Sequence, residues 1–229
     1  MQTRWEVAED DGDWLRRALA HVRLAETEAI EARGAFHIVL AGGGTPRRLY
    51  QALAGEAHDW ARWQVWFGDE RCLPVDHPER NSRMAGAALL ERIPISASRV
   101  HEIPAELGPI QAAAAYAREL AGVGEFDLVL LGLGEDGHTA SLFPGQDCGA
   151  SEGAADVLPV FDAPKPPAER VSLSARRLSR ARRVLFLVEG RAKGAALAAW
   201  RRGGAIPAAA IRPPAGVDVL TDRKAWSET

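Results

Sequence analysis

Apolar positions along this chain follow two rhythms that take turns. Leu15, Ala18, Leu19, Val22, Ala29 and Ile30 recur at helical spacing, with Arg16, Arg17, Arg23 and Glu26 between them. This predicts an amphipathic helix, ended by Gly34. Phe36 to Ala41 is then a short apolar run of β-formers, a predicted strand. Gly42-Gly43-Gly44 breaks it. Thr45 and Pro46 predict the next helix, with Thr45 as N-cap and Pro46 at the first helical position. That helix continues through Leu49, Tyr50 and Leu53.

The alternation persists. Trp63 to Phe67 reads as a strand that ends in Gly68-Asp69-Glu70-Arg71. Ser82 to Arg92 and Pro109 to Leu120 read as helices. Phe126 to Leu131, Val184 to Val188 and Val217 to Leu220 read as strands, and Arg170 opens a further one, RVSLS. A helix follows Gly190 through Leu197 and Trp200, and places Lys193 in its first turn. Strands alternating with helices predict an α/β fold, a mostly parallel sheet flanked by helices. Unbroken apolar strands fit a sheet covered on both faces. Gly145 to Pro167, rich in Gly, Ala, Asp and Pro, is expected to be a loop or lid. Ser174 to Arg183 reads as a solvated helix face. No linker or repeat interrupts the pattern, so one domain over residues 1–229 is expected.

Composition narrows the partners. A net charge of −3 over 229 residues gives no reason to expect nucleic acid. No apolar run approaches the length of a membrane span. The first residues, MQTRWEVAEDDGDW, lack the apolar core of a secretory leader, so a cytoplasmic location is expected. Cys72 and Cys148 are the only cysteines, too few for a disulfide framework or a thiolate metal cage.

Chemistry concentrates where strands end. FDLVLLGLGEDGHTASLFPG carries Asp136 and His138 just past a predicted buried strand. A histidine there can move protons near neutral pH, and the adjacent carboxylate can fix its tautomer. The stretch matches G-x-G-x-x-G, but only HTASLF fits before Pro144, too little for the crossover helix of a dinucleotide site. AGGGTP offers Gly43, Gly44 and Thr45 at a helix N-terminus, which suits phosphate; the plainer alternative is a tight turn. GDERCLPVDHPERN brings together Asp69, Glu70, Arg71, His77 and Asn81, either as a site or as a solvated loop. Arg71 is suited to clamping an anion. Arg170 and Lys193 are further cationic candidates. Lys193 opposes the dipole of its helix, which an anion would explain; the alternative is a surface lysine. No H-E-x-x-H, cysteine pair or G-x-S-x-G elbow is present, so neither a catalytic metal nor a serine nucleophile is expected.

Taken in order, LAGGGTPRRLY, WFGDERCLPVDHPERN, FDLVLLGLGEDGHTASLFPG, RVSLSARRL and VEGRAKG resemble the 6-phosphogluconolactonases, within the wider superfamily of glucosamine-6-phosphate isomerases and deaminases. The resemblance covers nearly the whole chain. It departs at Gly44 and Arg80, where serine is common. It implies a Rossmann-like sugar-phosphate isomerase/lactonase fold, hydrolysis of 6-phospho-D-glucono-1,5-lactone, and no cofactor. His138 would be the base. Asp136 would orient it or contact sugar hydroxyls, and Asp69 would do the latter. Gly43, Gly44, Thr45, Arg71, Asn81, Arg170 and Lys193 would bind substrate, the glycines, Thr45 and the basic groups holding the phosphate or nearby oxygens. The chain would act as a monomer or weak homodimer. The competing readings are an amino-sugar-phosphate isomerase/deaminase, whose loop reads DEY rather than DER, and a non-catalytic sugar-phosphate sensor.

Overall fold

The computed structural model describes residues 2–227. The chain opens with strand β1 (Thr3–Ala8) and helix α1 (Asp11–Arg33). The Asp10 side chain caps α1 by accepting from the Asp13 N–H at 2.8 Å, and Gly34 closes it in the left-handed region at φ 75°. Next come β2 (Phe36–Leu40), α2 (Gly44–Leu53), β3 (Trp63–Phe67), β4 (Asp69–Arg71) and α3 (Asn81–Ala88). The middle of the chain forms β5 (Val100–His101), α4 (Pro109–Glu119) and β6 (Phe126–Gly132). Then follow β7 (Val157–Val160), β8 (Arg170–Leu173), the short helix α5 (Ala175–Ser179) and β9 (Ala181–Val188). The last elements are α6 (Gly194–Arg201), β10 (Val217–Asp222) and the turn of helix α7 (Arg223–Trp226).

Seven strands pair in the order β1-β10-β9-β6-β2-β3-β5, every neighbour parallel. This is the expected α/β architecture, a parallel sheet flanked by helices. Its central strands are apolar on both faces: Phe126, Val129, Leu130, Val184 and Phe186 are buried. Each such side chain contributes about 1.5–3 kcal/mol of burial. A second sheet, β4-β8-β7, is antiparallel.

The strand order reverses between β2 and β6. From β2 the chain moves outward through β3 to β5, and from β6 it moves the other way through β9. In an open α/β sheet this switch point leaves a crevice beyond the carboxyl ends of the two strands. Here those ends are the triple-glycine turn after β2 and the Leu133–His138 turn after β6.

Several elements depart from expectation. Helix α2 begins at Gly44 with Gly43 as its N-cap, so Thr45 is neither cap nor preceding residue. Gly43 adopts φ 103°, which lets the chain enter the helix two residues sooner. The Ser82–Arg92 helix is two pieces, because Leu89 leaves helical backbone at φ −136° before a 3₁₀ turn, Leu90–Arg92. Lys193 ends a 3₁₀ turn, Arg191–Lys193, and is the N-cap of α6 rather than lying inside its first turn. The expected loop after Gly145 contains β7. Strand β1 was invisible to hydrophobic patterning, because its side chains are only partly buried at the edge of the sheet. Arg177, read as solvated, is fully buried with its guanidinium 3.8 Å over the Phe126 ring. Burial pulls that guanidinium down to about 10.

Candidate active site

A cleft of about 230 Å³ lies at the switch point. Gly43, Gly44, Thr45, Asp69, Arg71, Asn81, His138, Arg170 and Lys193 all line it. Asp136 stands behind His138 rather than on the wall. These residues therefore fall at one place, although β2, β4, α3, β6, β8 and the turn before α6 deliver them separately.

The triple-glycine turn is held from beneath. The Ala41 N–H donates to the Tyr50 hydroxyl at 2.8 Å, and that hydroxyl donates to the Ala41 carbonyl at 2.9 Å. Gly42 must lack a side chain, because a Cβ there would stand 1.9 Å from Asn81 Oδ1. Beyond it, the unpaired N–H groups of the first turn of α2 face the cleft with the positive end of the helix dipole. Lys193 lines the same region and pairs with no carboxylate among the described residues.

The opposite wall is a buried polar frame. Asp69 Oδ2 accepts from the Ser141 hydroxyl at 2.6 Å, and Asp69 Oδ1 accepts from Asn81 Nδ2 at 3.1 Å. Glu70 does not belong to a solvated loop. It is 1% exposed and accepts three backbone N–H bonds, from Arg71, Asn81 and Ser82, at 2.7–2.8 Å. Burial still pushes its carboxyl up. Arg80 lies alongside, with Nε 3.5 Å from Glu70, and bonds to Glu106 and the Ile103 carbonyl at 2.9 Å each. Arg80 is thus a buried brace. Glu70 and Arg80 together seat Arg71 and Asn81, which enter the cleft. The Arg71 Nε is buried and has no hydrogen-bond partner, while its other end donates to the Glu79 carbonyl.

His138 is presented by a turn that only glycine permits. Gly137 sits at φ 86°, and a Cβ on Gly134 would stand 2.0 Å from the imidazole Nδ1. Asp136 Oδ1 lies 2.5 Å from His138 Nδ1 and also accepts the His138 backbone N–H at 3.1 Å. Partial burial opposes ionisation of Asp136, but these two bonds outweigh it and hold its carboxyl below the usual range. A carboxylate on Nδ1 keeps the proton there, so Nε2 is the basic nitrogen of the neutral ring. The ring packs 4.9 Å from Phe143, and Phe143 carries the Arg170 guanidinium at 5.5 Å on its ring. Arg170 itself is tied to the loop before β8, donating to the Lys165 and Pro167 carbonyls at 2.8 and 3.1 Å.

Some polar groups of the site escaped sequence reading. Thr139 and Glu189 line the cleft, and Ser141 backs it. Glu189 directly follows an apolar strand, the same signal that marked Asp69 and His138. Ser141 carried no such signal. His77, a candidate beside Asp69, lies outside the cleft, where its Nδ1 accepts the Glu79 N–H at 3.2 Å. Among the described residues no three His, Cys, Asp or Glu side chains group as metal ligands, and no helix is long and apolar enough to cross a membrane.

The chain is similar to known proteins over most of its length. A 6-phosphogluconolactonase of Streptomyces coelicolor is 40% identical, aligned over 88% of this chain and 85% of its own. One from Synechocystis is 42% identical over 80% of this chain and 78% of its own. The crystal structure of 6-phosphogluconolactonase from Thermotoga maritima superposes with a TM-score of 0.89 at 29% identity, covering 97% of this chain and all of that one. Residues 9–220 match the family model described as glucosamine-6-phosphate isomerases/6-phosphogluconolactonase, and the chain belongs to that family.

Proposed function

We propose that the chain hydrolyses 6-phospho-D-glucono-1,5-lactone to 6-phosphogluconate, the lactone-opening step of the oxidative pentose phosphate pathway. The observation that carries this reading is the placement of the Asp136–His138 pair and the Gly43–Thr45 helix start on one cleft. A base with a fixed tautomer and an anion cradle, a short distance apart, fit a substrate that bears an ester at one end and a phosphate at the other. The curated relatives named above support the same substrate class.

In this mechanism the first turn of α2, Arg71 and Lys193 hold the phosphate. Asp69 and Asn81 receive sugar hydroxyls, and Arg170 adds positive charge to that wall. His138 Nε2 takes a proton from water as the oxygen bonds to C1. Negative charge moves to the carbonyl oxygen, where backbone N–H groups or a neighbouring cation lower its energy. Collapse breaks the bond between C1 and the ring oxygen, and the imidazolium returns its proton to that oxygen. Asp136 stabilises the imidazolium in between. A lactone is an activated ester, so positioning and one base suffice, with no covalent nucleophile, metal or organic cofactor.

The test uses freshly prepared lactone, with spontaneous hydrolysis subtracted. His138→Ala is expected to lose about 10²–10⁴-fold in kcat while still binding 6-phosphogluconate. Turnover like that of the unmodified chain would remove His138 from the role of base. Ammonia release from glucosamine 6-phosphate, without lactone hydrolysis, would move the chain to the deaminase side of its family.

A further inference from the structure

Glu189 is an acidic group of the cleft to which the proposed hydrolysis assigns nothing. It lines the cleft beside Gly43, Gly44, Thr45 and Lys193, at the end meant for phosphate. Its side chain is 15% exposed, and its Oε1 lies 3.0 Å from Arg48 Nη2. Arg48 is held in turn 4.6 Å over the Trp14 ring and 3.8 Å from Asp11. The backbone therefore offers the cleft an anion cradle, yet a carboxylate stands on its rim.

The groups facing this carboxylate come from every neighbouring element. Arg48 and the Thr45 hydroxyl approach from α2, Asp11 from α1, and Asp222 from β10. Asp222 also accepts the Gly190 N–H at 3.1 Å. Lys193 stands beside Glu189, and Arg71, Arg170 and Asp69 line the same cleft. Burial pushes the Glu189 carboxyl up, Arg48 pulls against it, and Asp222 and Asp11 push with it. An arriving phosphate monoester carries most of two negative charges at neutral pH, since its second pKa is about 6. Bringing a second anion into this half-buried site disfavours full ionisation of both, which is relieved by retaining one proton between them.

We propose that Glu189 is a specificity-determining residue that couples phosphate binding in this cleft to the uptake of one proton from solvent, held between its carboxyl and the phosphate. The coupling rests on the phosphate end of the reading above. Proton conservation is simple: the ligand enters as the dianion, one proton follows it from water, and both leave together. The sign is fixed. A carboxyl whose pKa rises on binding takes up a proton, so affinity falls as pH climbs through the window between its free and bound values. Glu189 thereby favours the monoprotonated phosphate over the dianion.

Calorimetry of 6-phosphogluconate binding tests this, in buffers of differing ionisation enthalpy, for the unmodified chain and Glu189→Gln. The amide keeps an oxygen for Arg48 and the Thr45 hydroxyl but carries no charge, and Glu189→Ser serves if that variant does not fold. The unmodified chain should take up close to one proton and lose up to about tenfold in affinity per pH unit above neutrality. The variant should take up measurably less, show a flatter slope, and bind more tightly at the alkaline end. Gluconate, without phosphate, should show no difference between the two. Equal proton counts and equal slopes would overturn the coupling. So would a variant that binds more weakly at every pH with its proton count unchanged, which is the behaviour of a brace for Arg48. Inorganic phosphate separates the two readings. If it binds with Glu189-dependent uptake while 6-phosphogluconate does not bind, the lactonase reading falls and the coupling stands. Binding of neither ligand overturns both.

Discussion

The Ser141 hydroxyl donates a 2.6 Å hydrogen bond to the Asp69 carboxylate, joining the turn after β6 to the strand that follows β3. Both side chains are nearly buried, at 1% and 6% exposure. Asn81 holds the other carboxylate oxygen. Asp69 thus faces the cleft in one orientation, fixed from two sides. A charge-assisted bond of this kind is worth about 1.5–3 kcal/mol. Ser141→Ala is expected to lower kcat/KM for the lactone by about tenfold or more, mainly through KM. Steady-state kinetics check this, and unchanged kcat/KM would disconnect Asp69 from the substrate.

Asp136→Asn keeps the shape of the turn but places an amide against His138 Nδ1. The ring then loses the partner that fixes its tautomer and stabilises its protonated form. Buried triads lose about 10⁴-fold in kcat from such a change. Asp136 has a side chain 41% exposed, so water compensates in part and a smaller loss, of about 10–10³-fold, is expected. The loss should fall in kcat with KM little altered. A loss confined to KM would instead assign Asp136 to the sugar hydroxyls.

Neutralising the cations should discriminate between ligands. Arg71→Gln and Lys193→Gln are each expected to weaken 6-phosphogluconate by about 1.5–3 kcal/mol, roughly ten- to a hundredfold in Kd. Gluconate should be affected far less. Equal losses for both ligands, measured by calorimetry, would take these residues out of the phosphate site.

The brace beneath the cleft has its own signature in stability. Arg80 and Glu70 are each 1% exposed, and Arg80→Met leaves Glu70 as a buried charge without its cation. Urea unfolding should register a loss of about 3–5 kcal/mol. A loss below 1 kcal/mol, on the order of an exposed pair, would contradict the brace.

Glu70 also predicts a pH dependence. Burial raises its carboxyl in the folded chain, so the stability it contributes is full below its unfolded pKa and is lost as pH rises through its folded value. Glu70→Gln should therefore gain on the unmodified chain as pH rises from about 4 to 7, whatever its offset from the lost hydrogen bonds. Asp136, held below its usual range, has the opposite sign and loses its contribution as pH falls. A difference between the two proteins that stays flat with pH would show that Glu70 ionises as it does in the unfolded chain.

Much of this molecule was legible in one dimension. Period and punctuation identified α1, β2, α4 and β6, because their residues bury continuous apolar stripes or faces and stop at glycine. Residues just past strand ends stood out by chemistry alone, and Asp69, His138, Gly43 and Thr45 were chosen in that way. Partly buried β1 and the short β7 were not legible, since neither carries a full apolar period. Arg80 and Arg177 were not legible either. Their charge announces solvent, whereas carboxylates, carbonyls and a phenyl face supplied by distant segments allow them to be buried.

The sequence by itself determined most of the strands and helices, and which polar groups hang at their ends, because periodicity and glycine act over a few residues. Only the tertiary structure decided that β2 and β6 are neighbours at the reversal of strand order. That pairing, a matter of long-range burial, brings the glycine turn and the imidazole onto one cleft. It also decided that Ser141 clamps Asp69 and that Glu189 stands beside the cradle, contacts between residues with no local reason to meet.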